Sequence, residues 1–119
     1  MYVSLLKSKI HRAAVTDSSL DYEGSLAIDT EMMQEVKMLP YEKILVANLN
    51  NGNRFETYAI PASAGSKCIC LNGATAHLGK RGDRLIILSF ASVESHNAAA
   101  HRPLVLVLDE NNNPVKKKY

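Results

Sequence analysis

The stretch "KILVANLNNGNRFETYAIPA", Lys43 to Ala62, decides the fold class. Two runs rich in apolar and aromatic residues, "KILVANL" and "RFETYAIPA", flank Asn50-Asn51-Gly52. Asn-Gly supplies the positive φ values of a tight hairpin turn, so the pair is predicted as an antiparallel hairpin. Outward from it, strands are predicted at "YVSLLKSKI", "HRAAVT", "SLAI", "KCICLN", "DRLIILSFASV" and "LVLVL". A short helix is predicted over Glu31 to Val36, with Asp29 or Thr30 as its cap and Glu31 suiting the positive end of its dipole. Met32, Met33 and Val36 share one face of it, at core spacing, and Pro40 stops it from continuing. One helical turn is expected in "SHNAAAH", and "GATAHLGKRG" is read as a loop. Many short strands with small helical insertions predict a mainly β chain, a compact β-barrel.

A chain of 119 residues fits one domain. The barrel is assigned to residues 1–103, and 104–119 to a last strand followed by the polar end "DENNNPVKKKY", read as mobile and solvated. A net charge of +2 gives no electrostatic case for nucleic acid or acidic lipid as partner. No run approaches the ~18 apolar residues that span a bilayer, and the N-terminus lacks a signal-peptide pattern, so no membrane and a cytoplasmic location are expected. Cys68 and Cys70, two apart on a strand, would point alike and make a poor disulfide. Nor do they have zinc-site spacing, so no metal is expected. "GKRGD", Gly79 to Asp83, lacks the frame of a phosphate loop and reads as a turn.

The sharpest candidate for chemistry is Gly24-Ser25 in "DYEGSLAID", Asp21 to Asp29. A serine hydroxyl attacking the preceding carbonyl converts the amide to an ester. Loss of the serine α-proton then expels the acyl half, and the dehydroalanine left behind hydrolyses to a pyruvoyl group. Glycine before the serine leaves the carbonyl unobstructed and tolerates positive φ. The dipeptide alone is common in turns; its surroundings set it apart. "KIHR" at Lys9–Arg12, "YEGS" at Tyr22–Ser25, "NGNRFETYAI" at Asn51–Ile60 and "NGATAH" at Asn72–His77 occur in this order.

That set resembles the pyruvoyl-dependent aspartate 1-decarboxylase family, from about Lys7 to Phe90 and more loosely to Pro103. The resemblance implies a double-psi β-barrel that cuts itself between Gly24 and Ser25 into a β chain 1–24 and an α chain 25–119. It implies a homotetramer of processed protomers, and leaves open whether a maturation protein helps. It implies decarboxylation of L-aspartate to β-alanine and CO2 for pantothenate and coenzyme A synthesis. The cofactor it implies is a pyruvoyl group made from Ser25, forming a Schiff base with substrate, with no metal and no pyridoxal phosphate. By the same resemblance Thr57 assists the acyl shift and touches substrate, and Tyr58 is the proton donor. Arg54 and Lys9 face the substrate carboxylates, Asn72, Gly73, Ala74 and Thr75 line the site, and His11 lies at the pocket. Taken singly, Arg54 reads as a solvated strand residue, Tyr58 as a half-buried aromatic and "NGATAH" as a turn; their joint occurrence raises them. Arginine suits a carboxylate because its planar fork makes two parallel bonds. On a strand Arg54 and Tyr58 share a face about 13 Å apart, and Thr57 points away unless the strand bulges or the site lies between subunits. Ala47 stands where some relatives carry a large aromatic, and Thr75 where the loop usually has alanine.

Overall fold

The computed structural model describes residues 1–118. Its strands are β1 (Tyr2–Ala14), β2 (Asp17–Ser19), β3 (Ser25–Asp29), β4 (Lys43–Asn48), β5 (Arg54–Ala62), β6 (Ile69–Asn72), β7 (Arg84–Glu94), β8 (Leu104–Leu108) and β9 (Pro114–Lys118). One helix, α1 (Thr30–Glu35), follows β3, and two 3-10 turns cover Gly73–His77 and Ser95–Ala100. The chain is mainly β, as its alternating patterns predict.

The decisive hairpin forms with Ala47 opposite Arg54 and Lys43 opposite Tyr58, without a register shift. The hydrogen-bonded strand order is β2-β6-β3-β5-β4-β7-β1-β8-β9, a sheet whose ends do not pair with one another among the described residues. Within it β1 runs parallel to β8 and β3 parallel to β5, pairings that require crossovers rather than hairpins. This arrangement is compatible with a double-psi β-barrel. Inward-facing Ile10, Leu26, Ile44, Leu71, Ile87 and Leu106 are at most 1% exposed and belong to one core cluster. Burying each such side chain contributes about 1.5–3 kcal/mol. Met32, Met33 and Val36 of the helix region join them.

Three boundaries differ from the sequence reading. "YVSLLKSKI" and "HRAAVT" form one strand, β1, because the chain accommodates two irregularities against β7 instead of turning. Arg12, at φ 66°, takes up the second. "KCICLN" enters the sheet only at Ile69, since Lys67 is left-handed (φ 63°) and its N–H is held by the Asp29 carboxylate at 2.8 Å. Cys68 therefore lies outside the strand, and both cysteines are free thiols. Residues 114–118, read as part of a polar tail with no strand, form β9, antiparallel to β8, while Tyr119 at the end of that tail lies outside the described residues. The turn between them is local polar chemistry: Asp109 accepts from the Asn111 and Asn113 N–H groups. Asn112 (φ 60°) is buried and bridges sheet regions, bonding the Ala14 N–H (2.7 Å), the Ala14 carbonyl (2.8 Å) and the Lys67 carbonyl (2.9 Å).

Asp29 fastens β3 to α1, accepting from the Glu31 N–H at 2.9 Å as the helix cap, and also from the N–H groups of Gly65 and Lys67. The start of β3, where Ser25 sits, is thus anchored from its far end.

Candidate active site

Ser25 begins β3 and is 2% exposed, whereas Tyr22, Glu23 and Gly24 before it are exposed. The Gly24–Ser25 bond therefore crosses the boundary between a surface loop and the buried sheet. Ser25 pairs with Asn72 across the antiparallel β3–β6 ladder. Its hydroxyl is 3.4 Å from the Glu23 carbonyl and 3.4 Å from the Asn72 amide nitrogen, both at the outer limit of hydrogen bonding. Such loose contacts leave the oxygen free to turn toward a neighbouring carbon. Thr75 donates to the Asn72 carbonyl at 2.6 Å and lies 3.3 Å from the Ser25 carbonyl oxygen.

Glycine at 73 is what lets these parts meet. At φ 61°, its missing Cβ would lie 2.6 Å from the Gly24 nitrogen and 2.7 Å from both the Gly24 Cα and the Tyr22 carbonyl oxygen. The 3-10 turn and the junction are packed backbone on backbone. Gly24, by contrast, has no positive φ and open space where a Cβ would go. The positive φ expected as an option at Gly24, together with a close backbone approach, is found at Gly73.

The other sequence-selected residues divide by face. Leu26 and Ala59 are register partners and both fully buried, so Ser25 and Tyr58, one step earlier on β3 and β5, share the opposite face on adjacent strands. Thr57 pairs with buried Ile44 and faces inward, away from Arg54 and Tyr58, because β5 carries no bulge against β4. Arg54, Ala47, Ile86 and His11 are successive partners across β5, β4, β7 and β1, one row on the outer face. Lys9 occupies the next row, opposite Leu88 and Val105. Four adjacent strands at ~4.8 Å spacing put Arg54 and His11 about 14 Å apart. Within one chain, then, Ser25, Asn72, Gly73 and Thr75 meet with Tyr58 close by, while Lys9, His11 and Arg54 lie along the outer wall and exposed Ala74 on the loop.

The His11 imidazole is held below its ordinary pKa, first by burial and then by the cations Lys9, Arg12 and Arg84; its Nδ1 is buried without a partner. Cys68 and Cys70 are pushed up, chiefly by burial, which keeps them as thiols and poor nucleophiles. Among the described residues no group of three or more His, Cys, Asp or Glu could hold a metal, and no helix is long and apolar enough to cross a membrane.

Two features escaped the sequence reading. Lys7 and Glu42 form a part-buried ion pair at 2.5 Å. Burial pushes the Glu42 carboxyl up, but bonds from Lys7 and the Leu39 N–H outweigh it and hold the group below its usual value. Next to it, Tyr41 stacks at a 40° tilt on Tyr58, ring centroids 6.5 Å apart. The readable signal was Leu39-Pro40-Tyr41-Glu42, a turn sequence with proline second.

These features mark a mainly β chain with a closely packed, glycine-dependent serine junction, and its likeness to known proteins is specific. The family model described as aspartate decarboxylase matches residues 1–115. Proteins named aspartate 1-decarboxylase from Chlorobium limicola (50% identical over 98% of this chain and 91% of theirs) and Dehalococcoides mccartyi (49%, over 96% and 92%) match nearly end to end. One of the same name from Chlorobium chlorochromatii is 52% identical over 96% of this chain and 88% of its own. The chain belongs to the aspartate decarboxylase family and is an enzyme, a carboxy-lyase.

Proposed function

We propose that this chain cuts itself between Gly24 and Ser25 and, as a pyruvoyl enzyme, decarboxylates L-aspartate to β-alanine for pantothenate synthesis. The observation that carries the reading is the junction itself. A buried serine hydroxyl, loosely held, follows an exposed glycine whose backbone is clamped by Gly73. Attack by Ser25 Oγ on the Gly24 carbonyl carbon forms an ester and frees the Ser25 nitrogen. Removal of the Ser25 α-proton then breaks the Cβ–O bond, releases the 1–24 carboxylate, and leaves an unsaturated terminus that water hydrolyses with loss of ammonia. The Asn72 amide N–H, already directed at Oγ, favours charge on that oxygen. Thr57, which the family resemblance assigns to the acyl shift, faces the other side of β5 in its own chain, so this reading takes that donor from a second protomer.

The residues present fit a pyruvoyl group at position 25, since the surrounding loop is small-residue backbone, the Thr75 hydroxyl lies by the Ser25 carbonyl oxygen, which the group keeps, and the Asn72 amide lies by the Oγ that leaves with residues 1–24. When formed, that group supplies a carbonyl for the substrate amine and a sink for the electron pair released with CO2. Arg54 grips the side-chain carboxylate through its fork, Lys9 adds a second cation, and Tyr58 delivers the proton that replaces CO2. Gly73, Ala74 and Thr75 shape the wall, and His11 stays neutral at its edge.

A tetramer fits the outer face. Leu45, Ala47, Ile86, Leu88 and Phe90 make a mainly apolar sheet surface beside Arg54 and Lys9, suited to burial against a second protomer, which would bring a second chain's residues to Ser25. Two free thiols suit a cytoplasmic setting. The test is chemical trapping. With aspartate and borohydride, substrate mass should attach only to the piece beginning at residue 25, and Ser25→Ala should fold, remain full length and release no CO2. Release of CO2 from aspartate by the uncut variant refutes the reading.

A further inference from the structure

Tyr41 stands in a backbone conformation that tyrosine disfavours. The Glu42 N–H donates to the Leu39 carbonyl at 3.1 Å, closing a turn with Pro40 second and Tyr41 third, at φ 70°. That is the pattern of a type II turn, whose third position strongly prefers glycine or asparagine because a side chain with Cβ crowds the backbone there. The strain is held by three sets of bonds. The Tyr41 N–H donates to the Ala59 carbonyl at 2.7 Å, and the Ala59 N–H donates to the Glu42 carbonyl at 3.0 Å. The Glu42 carboxylate accepts from the Leu39 N–H and from Lys7. The turn is thereby tied to β5 at the residue after Tyr58 and to β1 at Lys7. Nothing in the core needs this ring, since Tyr41 is 76% exposed. Among the described residues its one aromatic contact is Tyr58, at a separation typical of interacting rings. A disfavoured conformation kept in place by a surrounding bond network, and spent on a side chain touching a reactive one, points to function.

We propose that Tyr41 is a positioning residue for Tyr58: its ring closes one side of the arc open to the phenol and keeps the hydroxyl directed at the substrate. This rests on the reading of Tyr58 as the proton donor. A half-buried tyrosine on an outer face otherwise has staggered rotamers to choose from, and a proton donor loses effect steeply when displaced by an ångström.

The test separates the ring from the turn. Tyr41→Gly removes the ring and relieves the strain, so the variant should melt at or above the parent temperature. Its kcat per cleaved protomer should nevertheless fall about 10-fold, with KM changed less than about twofold. Tyr41→Phe should keep kcat within about twofold. With 3-fluorotyrosine incorporated, the Tyr58 fluorine resonance, identified by its loss in Tyr58→Phe, should move in Tyr41→Gly. Parental kcat and an unmoved Tyr58 resonance in Tyr41→Gly overturn the proposal while leaving the donor reading intact. Undiminished turnover in Tyr58→Phe overturns the donor reading, and the proposal with it.

Discussion

Adding one methyl group at Gly73 should stall self-cleavage more than it harms folding. The Cβ of Gly73→Ala would sit 2.6 Å from the Gly24 nitrogen and 2.7 Å from two further backbone atoms. Reaching an ordinary contact of 3.4 Å requires the Tyr22–Gly24 strand of loop to recede by about 0.8 Å. No flexible side chain is there to give way, and alanine at φ 61° adds about 1–2 kcal/mol of backbone strain. Because the loop is exposed, it can move outward, so the total destabilisation should stay near 1–3 kcal/mol. The scissile carbonyl moves with the loop, however, while Ser25 remains fixed in β3 by its ladder with Asn72. A displacement near 1 Å between attacking and attacked atoms costs roughly 100-fold in rate. The assay is intact mass against time after purification of the uncut chain, with thermal melting in parallel. Gly24→Ala is the control, since its Cβ meets nothing within 4 Å and its melting point should barely change. Parental cleavage kinetics in a well-folded Gly73→Ala protein would refute the clamp.

Further perturbations follow the same logic. Asn112→Ala strips partners from the Ala14 N–H and carbonyl and the Lys67 carbonyl and puts alanine at φ 60°, so urea unfolding should lose about 2–4 kcal/mol. Thr75→Val keeps the shape but removes the 2.6 Å bond to Asn72, and should cost about 1–2 kcal/mol and slow cleavage, while Thr75→Ser restores it. His11 has a folded pKa below its unfolded value near 6.5, so the unfolded chain protonates first as pH falls. Its contribution is intact above that value and lost on the way down to the folded pKa. His11→Gln should therefore flatten the decline in melting temperature below about pH 6.5.

The hairpin was legible because Asn-Gly chemistry and alternation both act locally, and β5 has the ends its sequence suggests. The helix cap was legible as a choice of two, and Asp29 takes it because its second oxygen also serves Lys67, a partner remote in sequence. What stayed hidden depends on contacts between distant segments. No local pattern says that Arg12 bends without breaking β1, or that Asn112 buries itself against Ala14 to hold β9's turn. The site divides the same way. Ser25, Asn72 and Thr75 were named from short motifs and do meet. The packing of Gly73 against Gly24 and of Tyr41 against Tyr58 arises only once β6 lies beside β3 and the Pro40 turn beside β5. Thr57 was expected to point away from Arg54 and Tyr58 in a regular strand, and β5 is regular there.

The most direct measurement is the intact mass of the active, purified protein. A hydroxyl that severs its own backbone predicts two pieces, of 24 and 95 residues, from the 119-residue chain. The larger should lack a free amino terminus and carry a ketone at the residue-25 α-carbon, with a methyl group where the hydroxymethyl side chain was. One unbroken polypeptide with an ordinary serine, at full specific activity, would contradict the account.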